Sequence, residues 1–202
     1  MRDLNAFREN ALLALERLAG DAGSEAGPEP ALWAVTRMLP SLLGDPAPAL
    51  SAGDLPREAD PTSACAAFMV TPDRKHHLIT APVNFAPEQY HEKVAIALGH
   101  PGHVAETRRA LLLRDTSHYQ SFVKILQTFR AGSALQVPML WKNEYLGVLI
   151  CANAARNAFS EVDLRVMQVF AGFAASLWIA HDGPAWLETL EYDKLPERTK
   201  GS

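Results

Sequence analysis

Residues 133–181 read SALQVPMLWKNEYLGVLICANAARNAFSEVDLRVMQVFAGFAASLWIAH. Two apolar runs, 133–141 and 144–152, flank the polar pair Lys142-Asn143. That pattern predicts an antiparallel hairpin. After a loop, Ser160 followed by Asp163 gives a helix start, with a hydroxyl to cap free N–H groups and an acid in the first turn. From Val166 to Ala180 only Gln168 and Ser176 are clearly polar. A helix of that composition needs cover on nearly every side. Gly183-Pro184 stops it.

Working outward from this stretch, Leu111–Leu113 reads as a short strand and Asp115-Thr-Ser117 as the start of a helix. Ser117 and Gln120 have capping-box spacing. Phe122, Ile125, Leu126 and Phe129 would share one face of that helix, and Ala131-Gly132 would end it. Gly99-His-Pro-Gly102 is a turn into a short helix over 102–109, preceded by a short strand through Val94, Ile96 and Leu98. Segments 64–71 (ACAAFMVT) and 77–84 (HLITAPVN) bracket the turn-rich PDRKH and predict a second hairpin, with Pro82 at an edge or bend. Residues 87–93 suggest a helical turn. The stretch 44–62 is rich in Pro, Gly, Asp and Ala and reads as extended surface chain. A short helix over 30–38 should end near Pro40. Leu4, Phe7, Ala11, Ala14 and Leu18 form the stripe of an amphipathic N-terminal helix, joined by the linker GDAGSEAG (20–27). The tail after 183 offers Trp186 and Leu190 as docking points and reads as peripheral.

The chain has 202 residues, 48% of them hydrophobic, enough for one substantial core. Nineteen basic against 23 acidic residues, a net charge of −4, give no case for nucleic acid or an anionic membrane. The charged N-terminus reads as neither signal peptide nor span. Cys65 and Cys151 read as reduced thiols of a cytoplasmic protein.

In order, these elements describe an α+β domain with an antiparallel sheet. Gly99-x-x-Gly102-x-Val104-Ala105-Glu106-Thr107, then Leu111–Asp115, then Ser133-x-x-x-Val137-Pro138-Met139 with Gly147-Val148-Leu149, then Phe159-x-x-x-Asp163-Leu164, resemble in sequence the successive segments of the GAF domain family. The resemblance covers about residues 29–182. It implies a central antiparallel sheet of about five to six strands with helices on both faces, to which this chain adds an N-terminal helix. It also implies a ligand pocket between one sheet face and the segment 85–132, and dimerisation through terminal helices. The corresponding division is 1–26 as helix and linker, 27–182 as the domain and 183–202 as tail.

Five chemistries bear on the pocket. Helix starts at Pro101-Gly102 and Thr116-Ser117 attract anions, and His100, His103, Arg114, His118 and Tyr119 supply donors nearby. The resemblance extends to free-standing members that receive nitrate. Equally, Ser117 can cap its own helix and Arg114 can pair with a surface acid. The i, i+3 pair His100 and His103, even with His76, His77, His91 and His118, is a poor metal site, because Pro and Gly separate it and His76-His77 beside a turn reads as solvated. The family includes reductases of free methionine sulfoxide, but no cysteine lies between 66 and 150, and Cys65 and Cys151 sit in apolar strands. Cyclic-nucleotide binders of the family carry an acid where Leu164 stands. Finally, Phe68, Phe85, Tyr119, Phe122, Trp141 and Tyr145 suit an apolar pocket, although aromatics at these spacings are more often core.

The expected function is therefore that of a sensor for a small molecule or small anion, with no catalytic residue, metal or cofactor. Its ligand would be met by His100, His103, Arg114, Thr116, Ser117, His118, Tyr119, Phe122, Trp141 and Tyr145. Its output would pass through a helical homodimer to a partner protein in trans. Two alternatives remain open: a thiol- or metal-dependent redox enzyme, and a ligand-free dimerisation scaffold.

Overall fold

Lys142 and Asn143 both take positive φ, 49° and 66°, the mirror-image turn that a two-residue hairpin requires. They join β5 (Ser133–Trp141) to β6 (Glu144–Asn153). Around this hairpin the computed structural model, which describes residues 2–21, 24–45, 47, 63–119 and 123–198, builds one six-stranded antiparallel sheet. The order is β3-β2-β1-β6-β5-β4, with β1 Ser63–Val70, β2 His76–Val83, β3 Lys93–Ala95 and β4 Leu111–Leu113. The β1–β2 register slips between Cys65 and Ala67. Pro82 sits in that bulge beside Ala81, whose φ is 47°, so the proline falls where the ladder needs no donor.

Period-2 alternation sorts the side chains between two cores. Cys65, Ala67, Met69, Leu135, Val137, Leu149 and Cys151 enter the larger core, with Leu32, Val35 and Phe170. Ala66, Phe68, Val70, Val148 and Ile150 enter the smaller one, with Val104 and Ile125. Every residue of β1 is buried, as expected for a central strand covered on both faces.

The larger core lies under α2 (Pro28–Leu42) and α4 (Glu161–Ala180). The smaller lies under α3 (Gly99–Thr107) and irregular chain. Ser160 and Asp163 complete a reciprocal capping box at the start of α4. By length and composition α4 could cross a membrane, but its Met167, Phe170, Ala171, Ala174 and Trp178 are buried in the core. Helix α2 runs through Pro40 to Leu42 rather than ending there.

Three expectations are corrected. First, by its amphipathic stripe the N-terminal helix, or its copy in a second subunit, is the natural cover for the closing helix, yet α2 is the helix lying beside α4, while α1 (Leu4–Asp21) packs outside on α2. The outer strip of α4, with Arg165, Gln168, Val169, Gly172 and Ser176, stays exposed. Second, the helix expected over 115–131 is replaced by a 3-10 turn, Thr116–His118, and by chain without helix over 123–131. Gln120 and Phe122 lie outside the described residues, as does most of the stretch read as extended surface chain. Third, the tail is docked. Helix α5 (Gly183–Glu188) buries Leu187, Trp186 packs edge-on to Trp178 at 5.7 Å, and residues 196–198 run along β3. There Lys93 N donates to Pro196 O at 2.7 Å and Arg198 N donates to Lys93 O at 2.9 Å.

Candidate functional site

On the α3 side of the sheet, Ala64, Ala152 and Ala134 stand in one cross-strand row of β1, β6 and β5. Methyl groups are all that this row raises from the sheet, so the layer above cannot close down fully. The result is a hollow of about 50 Å³. Phe68, Phe85, Val123, Ile125, Leu126 and Ile150 make its walls apolar, and His100, Pro101, Ala131 and Gln136 complete the lining. That volume accommodates about one or two water molecules.

The polar side chains in this lining are His100 and Gln136. Gln136 is 4% exposed, and its Oε1 has no hydrogen-bond partner among the described residues. His100 lies in the first turn of α3, nearly buried, edge-on to Tyr119 at 5.4 Å. Burial and then the neighbouring His103 hold its imidazole below the usual range, favouring the neutral form. Its position depends on Gly102, where a Cβ would lie 2.4 Å from the carbonyl carbon of Ala97. The helix thus starts tight against the preceding turn.

The remaining wall, 123–131, owes its path to side chains from remote parts of the chain. Gln89 Nε2 donates to Ile125 O at 2.8 Å, and Gln127 N donates to Gln89 Oε1 at 3.0 Å. Thr128 Oγ1 donates to Asn84 O at 2.7 Å, and Arg198 reaches Lys124 O at 3.3 Å. Backbone groups that a helix would have paired internally are satisfied from outside. The apolar spacing of Ile125, Leu126 and Phe129 therefore reflects burial without helix.

A family model described as GAF domain matches residues 30–177. The chain belongs to the GAF domain family. Its structure is similar to the GAF domain of a Coxiella burnetii phosphoenolpyruvate-protein phosphotransferase, at 20% identity and TM-score 0.69, over 88% of this chain and 97% of that one. It is also similar to that of the Acinetobacter phosphotransferase, at 17% and 0.67, over 91% and 96%. A free methionine-R-sulfoxide reductase from Neisseria meningitidis, solved with its substrate, matches at 13% and 0.67, over 91% and 95%. These likenesses are of fold. No curated protein matches this chain. GAF membership carries a sensory or ligand-binding role in general, and its enzymes are a minority among regulatory modules.

Within this GAF domain the expected site residues scatter. His100 lines the hollow and Tyr119 touches it through His100. Thr116 is buried beside it, its hydroxyl donating to Ala131 O at 2.6 Å. His103 and His118 are exposed. Arg114 points to the surface and pairs with Glu161 at 3.3 Å. Ser117 gives both its N–H and its hydroxyl to Asp115 Oδ1, and Thr116 N donates to Gly132 O. The N–H groups expected to receive an anion already hold protein oxygens, one of them a carboxylate. Trp141 ends β5 away from the hollow. Phe122 lies outside the described residues.

Tyr145 is buried, but its hydroxyl meets His77 Nε2 at 2.9 Å instead of lining the hollow. His77, expected to be solvated beside its turn, is fully buried, and burial pushes its imidazole down to about 4. Burial likewise raises the Tyr145 hydroxyl. Cys65 and Cys151 are directly opposed across β1 and β6, on the face away from the hollow. Burial, then the hydrogen bond to Cys151, raises the Cys65 thiol well above its usual value, the reverse of an activated thiolate. Among the described residues no group of three or more His, Cys, Asp or Glu side chains could hold a metal.

Gln136 was missed by sequence reasoning. Its signal was present: in SALQVPM it is the polar residue standing at an inward position of a strand.

Proposed function

We propose that this GAF domain is a cytoplasmic receptor for a small molecule, taken into the hollow between the alanine row and the 123–131 wall. One observation carries the reading. The hollow's outer wall is neither helix nor strand and hangs on side chains of Gln89 and Arg198. Such a wall can exchange between closed and lifted positions at less cost than a packed helix. A ligand that favours the lifted position would shift the population and, through Arg198, disturb the docked tail. Among the described residues no Lys or Arg lines the hollow, which favours a neutral molecule over an anion.

Output would pass to a partner protein through a homodimer. Leu12 and Leu13 on α1 are 68% and 45% exposed, and Val169 on α4 is 55% exposed, leaving apolar surface on the N-terminal helix and on the long closing helix. The decisive experiment is native mass spectrometry of untagged protein, with melting temperatures across a small-molecule panel. A retained or stabilising compound supports the receptor. Neither a retained mass nor a shift anywhere in the panel would sink it. A monomer mass, unchanged in Leu12→Glu, would remove the dimer.

The second reading is a ligand-free scaffold, favoured by a hollow of only about 50 Å³. The opposition of Cys65 and Cys151 on the other face of the sheet gives a redox enzyme no support.

A further inference from the structure

We infer that the compound received in the hollow is neutral and presents an N–H or O–H to Gln136 Oε1, with its apolar body against Phe68, Phe85 and Ile125. The inference rests on the receptor reading above and gives it a ligand class.

Gln136 pairs in register with Ile150 on β6 and Leu111 on β4. Its neighbours Leu135 and Val137 enter the larger core, so alternation turns Gln136 the other way, toward the hollow it lines. The sheet's other contributions to that lining, Ala64, Ala134, Ile150 and Ala152 among them, are apolar. The carboxamide is thus the sheet's hydrogen-bonding group there, and its oxygen lacks a donor among the described residues. An unpaired buried acceptor costs about 1–3 kcal/mol. An apolar side chain of similar length would avoid that cost, and an incoming donor removes it.

Discrimination follows from the same geometry. A neutral donor satisfies Oε1 and loses little hydration on entry. A carboxylate or nitrate of equal size would bring a net charge into an apolar site, with no Lys or Arg among the described lining residues, and would give up its water. A neutral molecule without a donor leaves Oε1 as it was. Sites built to hydrogen-bond reject analogues lacking the partner far more strongly than sites that only enclose.

Propionamide, propionate and propionitrile share a carbon skeleton and differ in the tested property. Each is titrated into ¹⁵N-labelled wild type, Gln136→Met and Gln136→Glu, following the resonances of residues around the hollow. Thermal unfolding of each variant confirms that it is folded. Propionamide should perturb those resonances with an affinity at least about tenfold above the other two, and Gln136→Met should abolish that margin while leaving propionitrile unchanged. Gln136→Glu keeps an acceptor oxygen in an isosteric side chain, so it should keep the preference for propionamide and should not admit propionate. Equal binding of all three probes, or a margin that survives Gln136→Met, overturns the ligand class and leaves the receptor standing. No perturbation by any probe defeats the receptor reading as well.

Discussion

Arg198 Nη2 donates to Glu92 Oε2 at 2.9 Å, with the two side chains 2% and 10% exposed. This pair joins the tail to the chain leading into β3, and the same guanidinium holds Lys124 O on the wall of the hollow. Removing one member of a buried pair strands the other charge and typically costs about 3–5 kcal/mol. Arg198→Ala should lose stability on that scale in urea unfolding. Hydrogen exchange at 123–127 should accelerate more than in β1 and β6. Arg198→Met combined with Glu92→Gln should recover much of the loss, since no charge is left buried.

His77 makes stability depend on pH in a defined direction. In the fold burial pushes its imidazole down to about 4, against an ordinary value of ~6.5 in the unfolded chain. Between these values the unfolded chain binds the proton more readily, so stability falls as pH drops from ~6.5 toward ~4 and falls no further from this group below that. The span corresponds to roughly 3 kcal/mol. Urea midpoints measured across this range should show the slope in wild type. In His77→Gln the slope should largely vanish.

Asp163 holds three parts of the chain at once. Its carboxylate receives both arms of Arg2 at 2.8 and 2.9 Å, the N–H of Gly44, and the N–H and hydroxyl of Ser160. Burial alone would raise its pKa, but Arg2 and the other donors outweigh that and hold it below the usual carboxylate range. Its contribution is therefore complete above the ordinary value of ~3.9 and is lost as pH falls through the lower folded value. Arg2→Ala should cost about 1.5–3 kcal/mol and remove amide protection first from α1, with the sheet still protected. Protection that fell equally in α1 and β6 would contradict this.

Gly102→Ala would set a methyl group against the backbone of Ala97. The turn has to open, at about 1–3 kcal/mol, and His100 should move with it. Thermal unfolding and the imidazole resonances of His100 are the checks. An unshifted His100 would mean that α3 tolerates the methyl without moving.

The closing hairpin and α4 were legible because their signals are local. Lys142-Asn143 is a turn pair, and Ser160 with Asp163 spans a single helical turn. The chain over 123–131 was misread for the opposite reason. Ile125, Leu126 and Phe129 have helical spacing, while the groups that hold this stretch out of a helix, Gln89 and Arg198, are 36 and 74 residues away from their partners. His77 and Tyr145 are 68 apart, so nothing near His77 announced its burial. Of the expected site residues, His100, singled out by its turn, lies at the hollow, and Tyr119 lies against His100. Arg114 and Ser117 were drawn away by Glu161 and Asp115, partners whose proximity only the folded backbone decides.

The row Ala64–Ala152–Ala134 separates two properties that most cores tie together. Because those methyl groups project away from α2 and α4, substituting valine at any one of them would shallow the chamber by a carbon or two without disturbing the helical face. Single exchanges on three neighbouring strands can thus resize the chamber, while the hydrophobic body beneath keeps its strength.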